Sequence, residues 1–182
     1  MKPFEILHRK KVLNSPWMPV EVQTVRFPNG EEGEWYVNLS HDAVIVLPFF
    51  ADGSLLLQKA YKHGAGEILY EFCAGMIDEG EKPKQAAERE LLEETGHKAE
   101  SLIFLGKVFA NPTGSPMQYH YFLGKNCVFQ QAPELEVSEQ IENFSVKNIA
   151  EAKYFLAGTS RMSSVAALTG IALAEEYFKK LE

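Results

Sequence analysis

Residues 75–97, GMIDEGEKPKQAAERELLEETGH, place seven demanding positions at set intervals: Gly75, Glu81, Arg89, Glu90, Glu93, Glu94 and Gly96. With residue types each used at about 7%, a set like this arises by chance at roughly one start position in a hundred million. Pro83 stands where a helix begins and Gly96 just past where it ends, so the spacing predicts a helix over 83–95. On such a helix Glu90, Glu93 and Glu94 are three and four residues apart and share one face. Like charges one turn apart destabilise an isolated helix, and Arg89, four residues before Glu93, relieves only part of that cost. A solvated acidic surface accounts for the carboxylates alone. It does not account for glycines at both ends or for Glu81 in the loop, whereas a backbone turned toward a metal needs Gly75 for close approach. A hard divalent cation offsets the repulsion, since Mg²⁺ takes carboxylate and water oxygens and is commonly shared with substrate phosphates.

The rest of the chain sets the scale. A length of 182 residues with 46% apolar content suffices for one core and a small appendage. A net charge of −7 argues against a nucleic-acid surface, which needs clustered Lys and Arg. An anionic ligand would need a local basic pocket or a bridging cation. The N-terminal MKPFEILHRKK lacks the apolar segment and cleavage site of a secretory signal. The longest apolar run, 43–51, is about half a bilayer span and contains Pro48. Cys73 and Cys127 form no CxxC pair and read as buried small hydrophobes in a reducing compartment. The expectation is a soluble, cytoplasmic protein with no nucleic-acid or membrane partner.

Residues 4–13 and 19–27 are rich in β-formers, and PNG at 28–30 marks a turn before EWYVNL, so residues 1–40 read as a small antiparallel sheet. The apolar run 43–49, turned by ADGS at 51–54 into LLLQKAY, predicts a buried hairpin opening the main domain, 41–182. ILYEFCAG at 68–75 reads as a strand or an extended approach to the acidic segment. Strand-like stretches recur at 102–109, 119–129 and 141–146, and 163–181 has helical spacing.

With these residues in hand, the chain resembles a known family. Residues 75–96 match the Nudix box: glycine, five residues, glutamate, seven residues, arginine, glutamate, an apolar residue, one more, two glutamates, one more and glycine. His97 stands in the apolar slot that closes the box. The resemblance implies an α+β protein with the Nudix fold, an α/β/α sandwich around a mixed β-sheet, here with a small N-terminal antiparallel sheet region. It also implies hydrolysis of a nucleoside diphosphate linked to another group, with Mg²⁺ or Mn²⁺. The flanks narrow this. QKAYKHGAGEILYEFCAGMID is similar to the stretch leading into the box in ADP-ribose pyrophosphatases, with Lys62 in place of an arginine and Glu71-Phe72-Cys73-Ala74-Gly75 in place of a Glu-Leu-Pro-Ala-Gly run. Pro112, sixteen residues past Gly96, lies about where that subfamily carries a marker proline. VEVQTVRFPNGEEGEWYV resembles its dimer-forming sheet, which implies a homodimer. NPTGSPMQ departs from the pattern, placing Met117 or Gln118 where a substrate-contacting glutamate usually stands. That widens the expected substrate to nucleoside diphosphate sugars generally.

By the same resemblance, Glu90 and Glu94 are the main metal ligands, with Glu93 and the Ala74 carbonyl completing the site and Arg89 orienting the glutamates. Glu81 supports the loop or binds an outer metal. The general base comes from PELEVSEQIEN, where Glu139 aligns best as a metal- or water-contacting residue and Glu136 and Glu142 are alternatives; Glu134 lies in the same loop. Candidate substrate contacts are Trp35 for base stacking, Arg26 and Lys62 for phosphates, Glu71 and Met117. Trp35 reads equally as an interface or core aromatic, and Arg26 and Lys62 as surface charges. Two other readings stay open: a nucleotide-sugar sensor that does not cleave, and a house-cleaning hydrolase of modified nucleoside triphosphates.

Overall fold

The computed structural model describes residues 1–157 and 163–181. The chain divides into two compact units, Met1–Asp42 with Val108–Gln118, and Ala43–Lys107 with Tyr119–Glu182.

In the first unit, β1 (Glu5–Leu13), β2 (Val20–Arg26) and β3 (Glu32–Asn38) form an antiparallel sheet in that order. The expected turn at 28–30 is closed by the Gly30 amide donating to the Phe27 carbonyl at 2.9 Å. Alternation along β2 buries Glu21, Gln23 and Val25. The first two are polar, and they are satisfied together: Arg9 and the Gln23 amide both donate to Glu21 Oε1. Every residue of β1 is exposed, including Ile6, Leu7, Val12 and Leu13. Residues from the middle of the chain join this unit because Ser115 and Gly114 bond the backbone of Asn38.

The second unit, apart from Val108, Phe109 and Gln118 at the ends of two strands, contains β4 (Ala43–Pro48), β5 (Leu55–Lys62), β6 (Glu67–Glu71), β7 (Cys73–Met76), α1 (Pro83–Thr95), β8 (His97–Lys98), β9 (Ser101–Phe109), β10 (Gln118–Lys125), β11 (Val128–Phe129), β12 (Ile141–Val146), α2 (Ile149–Ala157) and α3 (Val165–Lys179). One sheet runs β7-β4-β10-β9, a second β12-β5-β6, and β8 pairs with β11. The first of these is mixed, with β4 parallel to β10 and antiparallel to β7. Every residue of β4 is buried, because helices cover both faces. Val44 and Val46 pack with Ala86, Ala87 and Leu91 of α1. Leu47, on the opposite pleat, lies against Gly170 of α3. This layering is the α/β/α sandwich anticipated from the sequence.

The predicted hairpin does not form. β4 and β5 share a single bridge, Phe49 with Leu55, and then enter different sheets. A strand has two edges, and both edges of β4 are taken, by β7 and β10. The stretch 68–75 likewise divides at the buried Phe72, where the chain passes from the β5 sheet to the β4 sheet. The stretch 119–129 breaks at Asn126, whose φ of 50° turns the chain from β10 toward β11. Helix α2 has no counterpart in the sequence reading. Its nine residues are few for a periodic pattern, yet a start signal was present: Asn148 Oδ1 accepts from the Glu151 amide, and Glu151 reaches back to the Lys147 amide.

Candidate active site

Helix α1 forms over the predicted residues. Pro83 opens it, and Gly96 closes it with φ 72°, its amide donating to the Leu92 carbonyl at 2.8 Å. Glu90 and Glu94 fall on the buried face and Glu93 is half-buried beside them. A side chain on Gly75 would place its Cβ 1.9 Å from Glu90 Oε1, so β7 touches the carboxylate only because that residue is glycine.

Arg89 holds the cluster together. It bonds Glu81 through Nε and Nη2 at 3.1 and 2.9 Å, Glu90 and Glu93 through Nη1 at 2.7 and 3.2 Å, and the Met76 carbonyl at 3.0 Å. Glu81 braces the loop as well, accepting from the Asp78 amide. Its carboxyl is held below the usual range, chiefly by Arg89. Glu94 Oε2 accepts from the Ala74 amide at 3.0 Å and from Gln58 Nε2 at 3.2 Å. Burial pushes Glu94 up to about 7 and also raises Glu90, against the pull of Arg89. Cys73, beside Glu94, is fully buried and in no disulfide, and its thiol is raised well above its ordinary value chiefly by that burial.

Among the described residues, no three His, Cys, Asp or Glu side chains converge as a ready metal cage. Arg89 draws Glu90 and Glu93 to itself, and Glu94 turns to the Ala74 amide. The donor set nonetheless suits a hard cation: it is all oxygen, and one guanidinium serves Glu81, Glu90 and Glu93 while Glu94 lies buried alongside.

The other sequence candidates fall into distinct places. Lys62 and Glu71 form an ion pair in the wall of a cavity of about 340 Å³, with Ala74, Gly75 and Tyr119 also lining it. Burial raises the Glu71 carboxyl, opposed by Lys62. Glu139 lies within electrostatic range of Glu90, and its carboxylate accepts from the Glu136 amide at 2.8 Å. The loop bearing both is moored to the end of α1, where the Glu134 amide donates to the Glu93 carbonyl and the Gln130 amide to that of Gly96. Glu142 points elsewhere, pairing with Lys59 across β12 and β5 at 3.4 Å. In the first unit, Trp35 Nε1 donates to the Thr113 carbonyl at 2.7 Å, and Trp35 and Pro112 line one groove. Met117, half-buried in the same unit, bonds Ala110 and Ser115. Arg26 is committed to Glu5 and Glu32, each at 2.9 Å. His97 serves as an aromatic in its apolar slot, meeting Phe50 and Phe129 edge-on at 5.4 and 5.6 Å.

The sequence reading passed over Gln58 and Asn143. Gln58 is almost fully buried against Glu94, and Asn143 Nδ2 donates to the Glu94 carbonyl at 2.7 Å. A signal existed for the first: a lone amide after three leucines in a strand with no polar face to the solvent there. None of the described helices is long and apolar enough to cross a membrane.

Residues 39–165 match the model of the NUDIX domain, and residues 4–38 match that of the nucleoside diphosphate sugar hydrolase N-terminal domain. An ADP-ribose pyrophosphatase of Bacillus subtilis (strain 168) is 27% identical over 139 residues, 76% of this chain and 75% of that one. The ADP compounds hydrolase NudE of Escherichia coli (strain K12) is 34% identical over 110 residues, 59% of each chain. A crystal structure of an ADP compounds hydrolase shares the fold with a TM-score of 0.83 at 22% identity, covering 100% of this chain and 97% of that one.

Proposed function

The chain belongs to the Nudix hydrolase family, and on that footing we propose that it hydrolyses the pyrophosphate of ADP-ribose or a related nucleoside diphosphate sugar. The products are a nucleoside monophosphate and a sugar phosphate. The observation that carries this reading is the placement of the box. The buried carboxylates of α1 lie against β7, and Ala74 and Gly75 of β7 also line the cavity that holds Lys62 and Glu71.

Pyrophosphate hydrolysis needs charge neutralised on the phosphates and an oriented, partly deprotonated water. Glu90, Glu93, Glu94 and the Ala74 carbonyl would hold Mg²⁺, with Mn²⁺ an alternative, and the bound cation supplies that neutralisation and lowers the pKa of water. Arg89 keeps Glu90 and Glu93 oriented. Glu139 is the favoured general base, because it lies close enough to Glu90 to raise that carboxyl, whereas Glu142 is engaged by Lys59. Lys62 meets phosphate charge and Glu71 accepts hydrogen bonds from the sugar. Arg26 is a weaker candidate for phosphate, given its two carboxylate partners. Residues 1–40 are taken as the dimer-making region and 41–182 as the hydrolase domain, with Val108–Gln118 of the latter lent to the N-terminal unit. The two free, buried cysteines suit a reducing, cytoplasmic setting.

A panel of nucleotide sugars, incubated with the purified protein, Mg²⁺ and a phosphatase-coupled phosphate assay, tests the reading. Release of phosphate from ADP-ribose or a close relative is expected. No turnover of any member at micromolar enzyme would overturn it, and ADP-ribose bound yet recovered intact would identify a binding protein instead.

A further inference from the structure

The face of the β12-β5-β6 sheet that meets α1 carries three polar side chains in cross-strand register: Asn143 opposite Gln58, and Gln58 opposite Glu71. Gln58 follows Leu55, Leu56 and Leu57, all buried, and is itself 1% exposed. An amide in that position costs stability unless its polar atoms are bonded, so its partner is informative. That partner is Glu94, whose Oε2 takes both Gln58 Nε2 and the Ala74 amide, at 3.2 and 3.0 Å. Asn143 secures the same residue from behind, through the Glu94 carbonyl. A carboxylate oxygen offers about two lone-pair directions, so two N–H donors fill Oε2 and leave Oε1 to meet a cation. The Cys73 thiol also donates to this carboxylate, and it is a weak donor.

We propose that Gln58 is a positioning residue for the hydrolysis: its amide fixes the rotation of Glu94 and so selects the oxygen presented to the divalent cation, without touching substrate. This rests on the reading of α1 as a divalent-cation site. Asn143 contributes by fixing the backbone to which that carboxylate is attached.

The test is Q58M, which keeps the volume and removes the donor. Mn²⁺ binding is followed by electron paramagnetic resonance without substrate, alongside Mg²⁺ titrations of turnover. Weakening of Mn²⁺ binding by roughly 10- to 100-fold is expected, as for loss of other groups that orient metal ligands. The Mg²⁺ concentration for half-maximal rate should rise in parallel, while KM for the nucleotide sugar and the melting temperature hold. Unchanged Mn²⁺ affinity in folded Q58M overturns the proposal, as does a loss shared equally among KM, kcat and melting temperature. Should Q58M not fold, Q58N, whose amide falls one methylene short of Glu94, carries the same expectations and the same refutation. A wild-type protein that neither binds Mn²⁺ nor turns over substrate would sink the functional reading itself. If the wild type does both and Q58M matches it, the role of Gln58 alone fails.

Discussion

Two residues concentrate the chemistry of α1, and each yields a prediction. Burial lifts Glu94 to about 7 in the folded, metal-free protein, above its ordinary 4.5. The native state therefore binds that proton more tightly than the unfolded chain between those values, and stability falls as pH rises through the window, by roughly 3 kcal/mol in all. Glu94→Gln should remove this slope, so that in chelator the variant equals or exceeds wild type in urea midpoint at pH 8. Its turnover should drop by about 100-fold or more, because a cation ligand is lost while the packing is kept. A variant destabilised at pH 8 would contradict the cost of ionising Glu94 in the folded chain, and one with wild-type turnover would place the cation elsewhere. Gly75→Ala tests the neighbouring contact. The added Cβ, 1.9 Å from Glu90 Oε1, forces that carboxylate aside. Mg²⁺-supported rates should fall by about 100-fold, and an unaltered Mg²⁺ titration would show that Glu90 need not sit against β7. At this scale the carboxylates of the box could be read from spacing alone. The partners of Gln58, Lys62 and Arg26 could not, since each is decided by a residue on another element.

Among the elements, α1 was the most legible, because its boundaries are written in local terms: Pro83 at the start, and at the end Gly96 in a left-handed conformation that other residues adopt reluctantly. The same glycine has a tertiary task. A Cβ on it would lie 2.0 Å from the Gln131 carbonyl, and its own carbonyl accepts from the Gln130 amide, mooring the loop that carries Glu136 and Glu139. Gly96→Ala should thus cost about 1–2 kcal/mol from the backbone conformation alone, more with the collision, and should also slow turnover by loosening the loop. Denaturant midpoints and rates measured together would check this; a loss of stability with full activity would detach the loop from catalysis. The hairpin expected at 43–61 fails for a complementary reason. Apolar runs on either side of ADGS announce two buried strands, but which edges they pair along depends on β7, β10 and β12, which are distant in sequence, and on β6, the strand that follows β5. Helix α2 escaped notice because nine residues hold too little periodicity, although its Asn148 cap was visible.

For the whole molecule, a divalent cation should couple to folding. Ligand carboxylates must be ionised to bind it, so Mg²⁺ should raise the melting temperature more at pH 8 than at pH 5, and chelator should remove the gain. At a hundredfold excess over Kd the stabilisation is about 2.7 kcal/mol. Equal shifts at both pH values would argue against carboxylate ligation. The exposed apolar residues of β1, Ile6, Leu7, Val12 and Leu13, support a homodimer. Light scattering should report twice the chain mass of 20.5 kDa, and a monomer would contradict it. By itself the sequence determined the acidic helix with its two ends and a separate N-terminal sheet, because these follow from periodicity, local backbone preference and charge spacing within a few residues, while the reaction class and the mixed sheet between helices came with the resemblance of residues 75–96 to the Nudix box. Only the tertiary structure decided that β4 and β5 part into different sheets, that Lys62 and Glu71 meet in one cavity, and that Gln58 holds Glu94. Each of those depends on which strand edges and buried faces come together, and burial, with the neighbouring Glu90 carboxylate, is what pushes the Glu94 carboxyl up to about 7.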